Sequence, residues 1–175
     1  MDFHQQLLKP GNVLVADGAM GTMLFKAGLK SGECPELLNL EKPEIPADVA
    51  RQYFNAGSHI IFTNTFGASP VKLADFGLAD KAVEINSEAV RIVRKVVGDK
   101  AFIAGSCGPS GKMLQPYGES KPDELFSSFK IQAEALINAG ADIICIETMS
   151  DIQEALLALK ATRSISASFP VMVTL

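Results

Sequence analysis

Short apolar runs alternate along the chain with longer segments in which apolar residues recur at helical spacing. The runs are rich in Val, Ile and Phe and nearly continuous, which is typical of parallel strands that are covered on both faces. This alternation predicts a parallel sheet built from βα units. The predicted strands are Val13–Ala16, Ile60–Thr63, Phe102–Gly105, Ile143–Ile146 and Val171–Leu175.

The segments between these strands carry residues that favour helix starts, and glycines follow most of them. The predicted starts are Pro46, Ser69, Asp80, Pro122 and Ser150, the last of which forms a capping box with Gln153. The predicted ends are Gly57, Gly77, Gly98 and Gly140.

Two architectures fit this order: an open doubly wound sheet and a (β/α)₈ barrel. The length of 175 residues favours the open sheet, because a barrel typically needs about 250 residues. The polar residues favour the barrel. Each of the first four apolar strands runs into a polar or glycine-rich group, and in a barrel these groups converge on the face that carries active sites. The groups are Asp17–Thr22, Thr63–Gly67, Gly105–Gly111 and Glu147–Thr148.

Asp17 and Glu147 carry the most information, because each follows an apolar run. An unpaired carboxylate in such a place is costly. Each could cap the following helix or loop. The two could instead accept a cationic group such as the ammonium of an amino acid. A Mg²⁺ site is a third alternative, although hard metals usually recruit more oxygen ligands.

The neighbouring residues allow further contacts to a ligand. Gly18 and Gly21 flank Asp17 and would permit close approach of a ligand or a positive φ. Asn64 and Thr65 could orient a carboxylate or an amide, or could satisfy their own loop. The stretch from Gly105 to Gly111 lacks the spacing and the Lys-Ser/Thr ending of a phosphate-binding loop, which argues against phosphate.

Composition excludes several classes of function. The chain has 16 Lys+Arg against 20 Asp+Glu, a net charge of −4, so it lacks the basic face that nucleic-acid binding needs. No apolar run approaches the ~18 residues of a membrane span, and the N-terminus is unlike a signal peptide. Cys34 lies in a polar loop, whereas Cys107 and Cys145 are expected to be small buried hydrophobes. We therefore expect a cytoplasmic protein without nucleic-acid or membrane partners.

Several segments, in this order and spacing, resemble the homocysteine S-methyltransferase family. They are Asp17–Thr22, Pro35–Asn39, Tyr53–Gly57, Thr63–Ala68, Gly108–Gly111 and Glu147–Asp151. The chain is most similar to the N-terminal homocysteine-binding module of cobalamin-dependent methionine synthases. The likeness runs from about Asn12 to Leu175, so residues 1–175 are predicted to be the N-terminal part of a (β/α)₈ barrel domain, with about its first five strands.

The resemblance implies a barrel that binds homocysteine at the carboxyl ends of its strands, with a zinc ion holding the substrate sulfur as a thiolate. It places Asp17 and Glu147 on the substrate ammonium, Gly18 at backbone contacts, and Asn64 or Thr65 along the pocket. The zinc ligands of the family, including an adjacent Cys-Cys pair, would lie beyond residue 175, because no such pair occurs here. We therefore expect a fragment or part of a larger polypeptide, which alone would be incomplete and would self-associate or keep an open sheet.

The resemblance leaves the methyl donor open between methylcobalamin, linked to methyltetrahydrofolate on a partner module or corrinoid protein, and betaine or S-methylmethionine. The expected partners are thus homocysteine, a donor module and the missing C-terminal half of the barrel. A non-catalytic half-barrel that binds or assembles without a metal centre is an alternative function. Another is a different barrel enzyme that uses Asp17 and Glu147 as acid and base.

Overall fold

The computed structural model describes residues 3–175, and its centre is a sheet of four parallel strands. The strands are β1 (Ile60–Phe62), β2 (Phe102–Cys107), β3 (Ile143–Ile146) and β4 (Val171–Val173). Their order in the sheet, β1-β2-β3-β4, is also their order in the chain. Each crossover therefore returns to the adjacent strand in a constant direction. That is the topology of a barrel wall, whereas a doubly wound sheet reverses its strand order.

The first predicted strand is reduced to one parallel bridge, between Ala16 and Ile60. The backbone N–H groups of His59 and Ile60 both donate to the carbonyl oxygen of Val15, at 2.7 and 3.1 Å. Val13 is 73% exposed, so little burial holds this segment flat against the sheet. The prediction of a strand over 13–16 is therefore wrong in extent, although the segment still lies beside β1.

Eight α-helices are assigned among the described residues, and short 3₁₀ turns lie between some of them. The helices are α1 (Phe3–Leu7), α2 (Met20–Lys26), α3 (Leu38–Glu41), α4 (Glu44–Asn55), α5 (Pro70–Leu73), α6 (Ala82–Val97), α7 (Pro122–Asn138) and α8 (Ile152–Ile165). No helix within residues 3–175 is long and apolar enough to cross a membrane.

Two predicted helix starts are confirmed and two are shifted slightly. Helix α7 begins at Pro122, and the Ser69 hydroxyl caps α5 by accepting the Lys72 N–H at 3.4 Å. Helix α4 begins at Glu44, two residues before Pro46. Helix α8 is capped by Asp151 and not by the predicted Ser150.

The cap of α8 is Asp151, whose carboxylate accepts the Gln153 N–H at 2.7 Å. Asp151 directly precedes the first helical residue, so its side chain reaches the free N–H groups and Ser150 does not fill the role. Asp80 is also not a cap. It lies inside the 3₁₀ turn Ala79–Lys81. This turn directly precedes α6, and no side chain caps the start of that helix.

Both faces of β1, β2 and β3 are largely buried, as the continuous apolar runs predicted, whereas β4 at the edge is partly exposed. One face packs against the long helices through a cluster that includes Ile61, Ile144 and Phe129. The other face carries Phe102 and is covered in part by α1, whose Phe3 ring meets the Phe102 ring edge-on at 5.3 Å. The carboxyl ends of the strands carry the polar residues.

Candidate functional site

A cavity of about 430 Å³ lies at the carboxyl ends of β1, β2 and β3. All five residues that the sequence marked for substrate binding line it: Asp17, Gly18, Asn64, Thr65 and Glu147. The structure therefore brings together residues that are far apart in the chain, such as Asp17 and Glu147, which are 130 positions apart. The lining also includes residues that sequence reasoning missed, among them Glu36, Phe66 and Ser106.

Asp17 is anchored to the start of the sheet. Its N–H donates to the carbonyl oxygen of Ile60 at 3.0 Å, and its Oδ2 accepts the N–H of Phe62 at 2.9 Å. Burial raises the pKa of this carboxyl from 3.8 to about 6; the hydrogen bond from Phe62 opposes the rise, and the negative charge of Glu147 adds to it. Asp17 therefore does not cap the following helix, which has no side-chain cap; its carboxylate accepts a backbone N–H of β1 instead.

Glu147 is held by the end of the neighbouring strand. Its N–H donates to the carbonyl oxygen of Cys107 at 3.0 Å. Its Oε1 accepts the hydroxyl of Ser106 at 2.5 Å. One carboxylate oxygen is therefore fixed by a protein donor, and the side chain faces the same cavity as Asp17.

The charge of the cavity has one sign. Asp17, Glu36 and Glu147 line it, and among residues 3–175 no Lys, Arg or His belongs to its lining. Grouped carboxylates without a cation raise the free energy of the ionised site, so a cationic ligand is the complementary occupant.

Asn64 and Thr65 are buried, and their side-chain donors form hydrogen bonds with other protein groups. The Asn64 amide donates to the carbonyl oxygen of Pro35 at 2.7 Å and to Oδ1 of Asn39 at 3.2 Å. The Thr65 hydroxyl donates to the carbonyl oxygen of Ser106 at 2.8 Å. These bonds tie the loop after β1 to neighbouring segments, so the alternative that the two residues satisfy their own loop does not match the geometry.

Glu36 is a charged residue that sequence reasoning passed over. It is 5% exposed, and its Oε1 accepts the N–H of Gly67 at 2.7 Å while its Oε2 accepts the thiol of Cys34 at 3.3 Å. Glu36 was noted only as part of a family motif, and no periodicity singled it out. Ser106 was noted only as a member of the glycine-rich group Gly105–Gly111 that follows a predicted strand.

The glycine beside Asp17 is explained by packing. A Cβ on Gly18 would lie 3.0 Å from the hydroxyl oxygen of Tyr53, which itself donates to the carbonyl oxygen of Ala19 at 3.2 Å. Neither Gly18 nor Gly21 has a positive φ. A side chain at position 18 would therefore require the Tyr53 ring to shift by a few tenths of an ångström, and backbone conformation gives no separate reason for a glycine there.

The thiols do not form a metal site. Cys107 and Cys145 are buried as expected, and burial raises the pKa of the Cys107 thiol strongly and that of Cys145 to about 12. Cys34, placed in a polar loop by the sequence, is also buried, and its pKa rises to about 11. Across residues 3–175, no three His, Cys, Asp or Glu side chains lie close enough together to hold a metal ion. Zinc thus finds no fitting ligand set in this part of the chain.

Comparison with known proteins gives a consistent result. The family model described as homocysteine S-methyltransferase matches residues 14–175. The methionine synthases of Mycobacterium leprae and Mycobacterium tuberculosis are each 31% identical over 163 residues, which is 86% of this chain. The chain spans only 13% and 14% of the length of these two relatives.

Solved structures share the fold. The oxidised form of the homocysteine methyltransferase MmuM from Escherichia coli superposes with a TM-score of 0.81 at 24% identity, and covers 95% of this chain and 63% of that one. The metallated form gives a TM-score of 0.79 at 24% identity, with 94% and 63% covered. The predicted barrel-type α/β fold is confirmed, with four parallel strands in this part of the barrel. On the match over residues 14–175, the chain belongs to the homocysteine S-methyltransferase family.

Proposed function

We propose that this chain is the homocysteine-binding portion of a homocysteine S-methyltransferase, and that its cavity holds homocysteine while a methyl group is transferred to the substrate sulfur to give methionine. The observation that carries the proposal is the pair of carboxylates, Asp17 and Glu147, in a cavity that no cationic side chain of the described part of the chain lines. In a chain of this family, that charge pattern fits the ammonium of an amino-acid substrate.

The carboxylates act on the ammonium by position and charge. Ser106 occupies Oε1 of Glu147, which leaves the other oxygen to accept a charge-assisted hydrogen bond. An ammonium beside Asp17 would favour its ionised form and lower the raised pKa. Binding is therefore expected to release a proton from Asp17 near pH 6 and to weaken at lower pH.

The other lining residues either offer apolar contacts to the substrate or maintain the form of the cavity. The side chains of Met20, Leu24, Phe62 and Phe66 line the cavity and suit the methylene chain of homocysteine. Gly18 leaves its backbone open beside Asp17, and Asn64 and Thr65 keep the loop after β1 in place rather than donating to the ligand.

The cofactors are proposed from the family alone. A bound zinc would keep the substrate thiol ionised near neutral pH, but residues 3–175 offer it no fitting ligand set. We place the zinc ligands beyond residue 175, in the C-terminal half of the barrel that would complete the domain begun by residues 1–175. Methylcobalamin on a partner module is the proposed donor, betaine is the alternative, and a cytoplasmic location stays a prediction.

The test replaces Glu147 by Gln in the intact protein. Loss of one charge-assisted hydrogen bond is expected to weaken homocysteine binding roughly 10- to 100-fold by calorimetry, with little change in thermal stability. The desamino analogue of homocysteine should bind equally to both forms. Glu119→Gln, at an exposed carboxylate, is the matched control.

Two outcomes would count against this assignment. Unchanged homocysteine affinity in Glu147→Gln would remove the ammonium role. Binding of homocysteine without any methyl transfer in the zinc-loaded protein with its complete barrel, supplied with each donor in turn, would favour the non-catalytic binding module instead.

A further inference from the structure

Gln132 is a polar residue behind the wall of the cavity. It lies on α7, is fully buried and does not line the cavity. Phe129, Ala133 and Leu136 of the same helix are also buried. A buried amide is costly unless its donors and acceptor are satisfied, so its partners indicate why a glutamine is placed there.

The Gln132 amide joins the ends of two strands. Its Nε2 donates to the carbonyl oxygen of Thr65 at 2.8 Å and to that of Ser106 at 3.3 Å. Its Oε1 accepts the thiol of Cys107 at 3.0 Å. One side chain therefore holds the loop after β1 against the end of β2.

The same contacts lead to Glu147. Ser106 donates its hydroxyl to Oε1 of Glu147, and its own backbone is held from several sides. Its N–H donates to the Thr63 hydroxyl at 3.2 Å, and its carbonyl oxygen accepts both the Thr65 hydroxyl and the Gln132 amide. The position of the Glu147 carboxylate thus depends on where this network places Ser106.

We propose that Gln132 is a positioning residue for the ammonium site, acting through Ser106 on Glu147. The inference rests on the proposed function and deepens it by naming the residue behind the wall that sets the site's geometry. Without the amide, Ser106 keeps its bonds to Thr63 and Thr65. Removing the amide should therefore leave most of the network in place and should weaken mainly the binding of the ammonium group that Glu147 recognises.

The test compares two ligands in the intact protein. Gln132→Met keeps a similar length and removes the hydrogen bonds. Homocysteine affinity should fall roughly 3- to 10-fold, the effect of about one net hydrogen bond. The affinity for the desamino analogue should stay within about twofold, because it has no ammonium for Glu147 to hold. Gln132→Asn, which keeps the amide on a shorter side chain, replaces the methionine variant if the latter does not fold.

A double-mutant cycle tests the route of the effect. If Gln132 acts through Ser106, then Gln132→Met should add almost nothing to the loss already caused by Ser106→Ala. Ser128→Ala, one turn earlier on α7, is the matched control. The Ser128 hydroxyl accepts the N–H of Val71 at 3.0 Å, outside this network, so homocysteine affinity should not change.

The outcomes separate this inference from the function on which it rests. Equal losses for homocysteine and its desamino analogue would mean that Gln132 only supports the fold, and would overturn the proposal. Additive losses in the double mutant would exclude the route through Ser106. A wild-type protein that does not bind homocysteine would contradict both the proposed function and this inference. Either of the first two results would leave the proposed function unaffected.

Discussion

Replacing Asp17 by Asn should stabilise the protein at alkaline pH while it weakens substrate binding. The carboxylate is desolvated and faces the charge of Glu147, so its ionised form is unfavourable in the folded state. Asn keeps the size and can still accept the N–H of Phe62 through its oxygen. The substitution therefore removes the unfavourable charge and retains the main contact.

The magnitude follows from the pKa. The Asp17 pKa rises from 3.8 to about 6 in the folded protein, and each pKa unit corresponds to about 1.4 kcal/mol. The ionised Asp17 thus costs the wild type about 2–3 kcal/mol of unfolding free energy at pH 8. The folded state holds its proton more tightly, so stability falls as pH rises from about 4 to about 6, and no further cost accrues above that range.

The assay is urea denaturation of Asp17→Asn and of the wild type at pH 4 and at pH 8. The difference in unfolding free energy should be only about 0.5 kcal/mol at pH 4 and about 2–3 kcal/mol in favour of the variant at pH 8. Glu119→Gln makes the same chemical change at an exposed position and should alter stability by no more than about 0.5 kcal/mol. Homocysteine affinity of Asp17→Asn should fall, as expected where a functional charge is held at a cost in stability.

Two results would refute this reasoning. If Asp17→Asn were less stable than the wild type at pH 8, the carboxylate would be contributing favourable contacts that exceed its desolvation. If the stabilisation were the same at pH 4 and pH 8, it would not arise from ionisation of Asp17.

The remaining predictions concern packing and thiol reactivity. A Cβ on Gly108 would lie 2.6 Å from the Phe66 ring, so Gly108→Ala should lower the unfolding free energy by about 1–3 kcal/mol, measured as a lower Tm; an unchanged Tm would mean that the ring moves freely. Cys34, Cys107 and Cys145 are buried with raised thiol pKa values, so iodoacetamide at pH 8 should modify none of them in the native protein and all of them in urea. Rapid native labelling at any one of these thiols would contradict the buried placement.

Much of the fold follows from local features of the sequence. The strands β2 and β3 coincide with apolar runs, and the glycines at 57, 77, 98 and 140 have positive φ at or just after helix ends. Asp17 and Glu147 could be placed at one face, because a carboxylate directly after a parallel strand lies at its carboxyl end. Spacing along the chain is enough for each of these inferences.

The errors arise where neighbouring segments compete. Asp151 caps α8 in preference to Ser150, because one residue of shift decides which side chain meets the free N–H groups. The segment 13–16 has the composition of a strand, yet it pairs through one residue, and little burial holds it against β1 because Val13 and Val15 are exposed. The burial of Cys34 could not be inferred from its polar neighbours.

The sequence alone thus determined the alternation of strands and helices and the two carboxylates at the strand ends. Only the tertiary structure decided that Glu36 supports Gly67, that Ser106 fixes Glu147, and that Gln132 stands behind both strand ends. The physical reason is that a hydrogen bond needs its donor and acceptor within about 3 Å. Residues separated by 31, 41 and 67 positions reach that distance only through the register of the sheet and the packing of helices upon it.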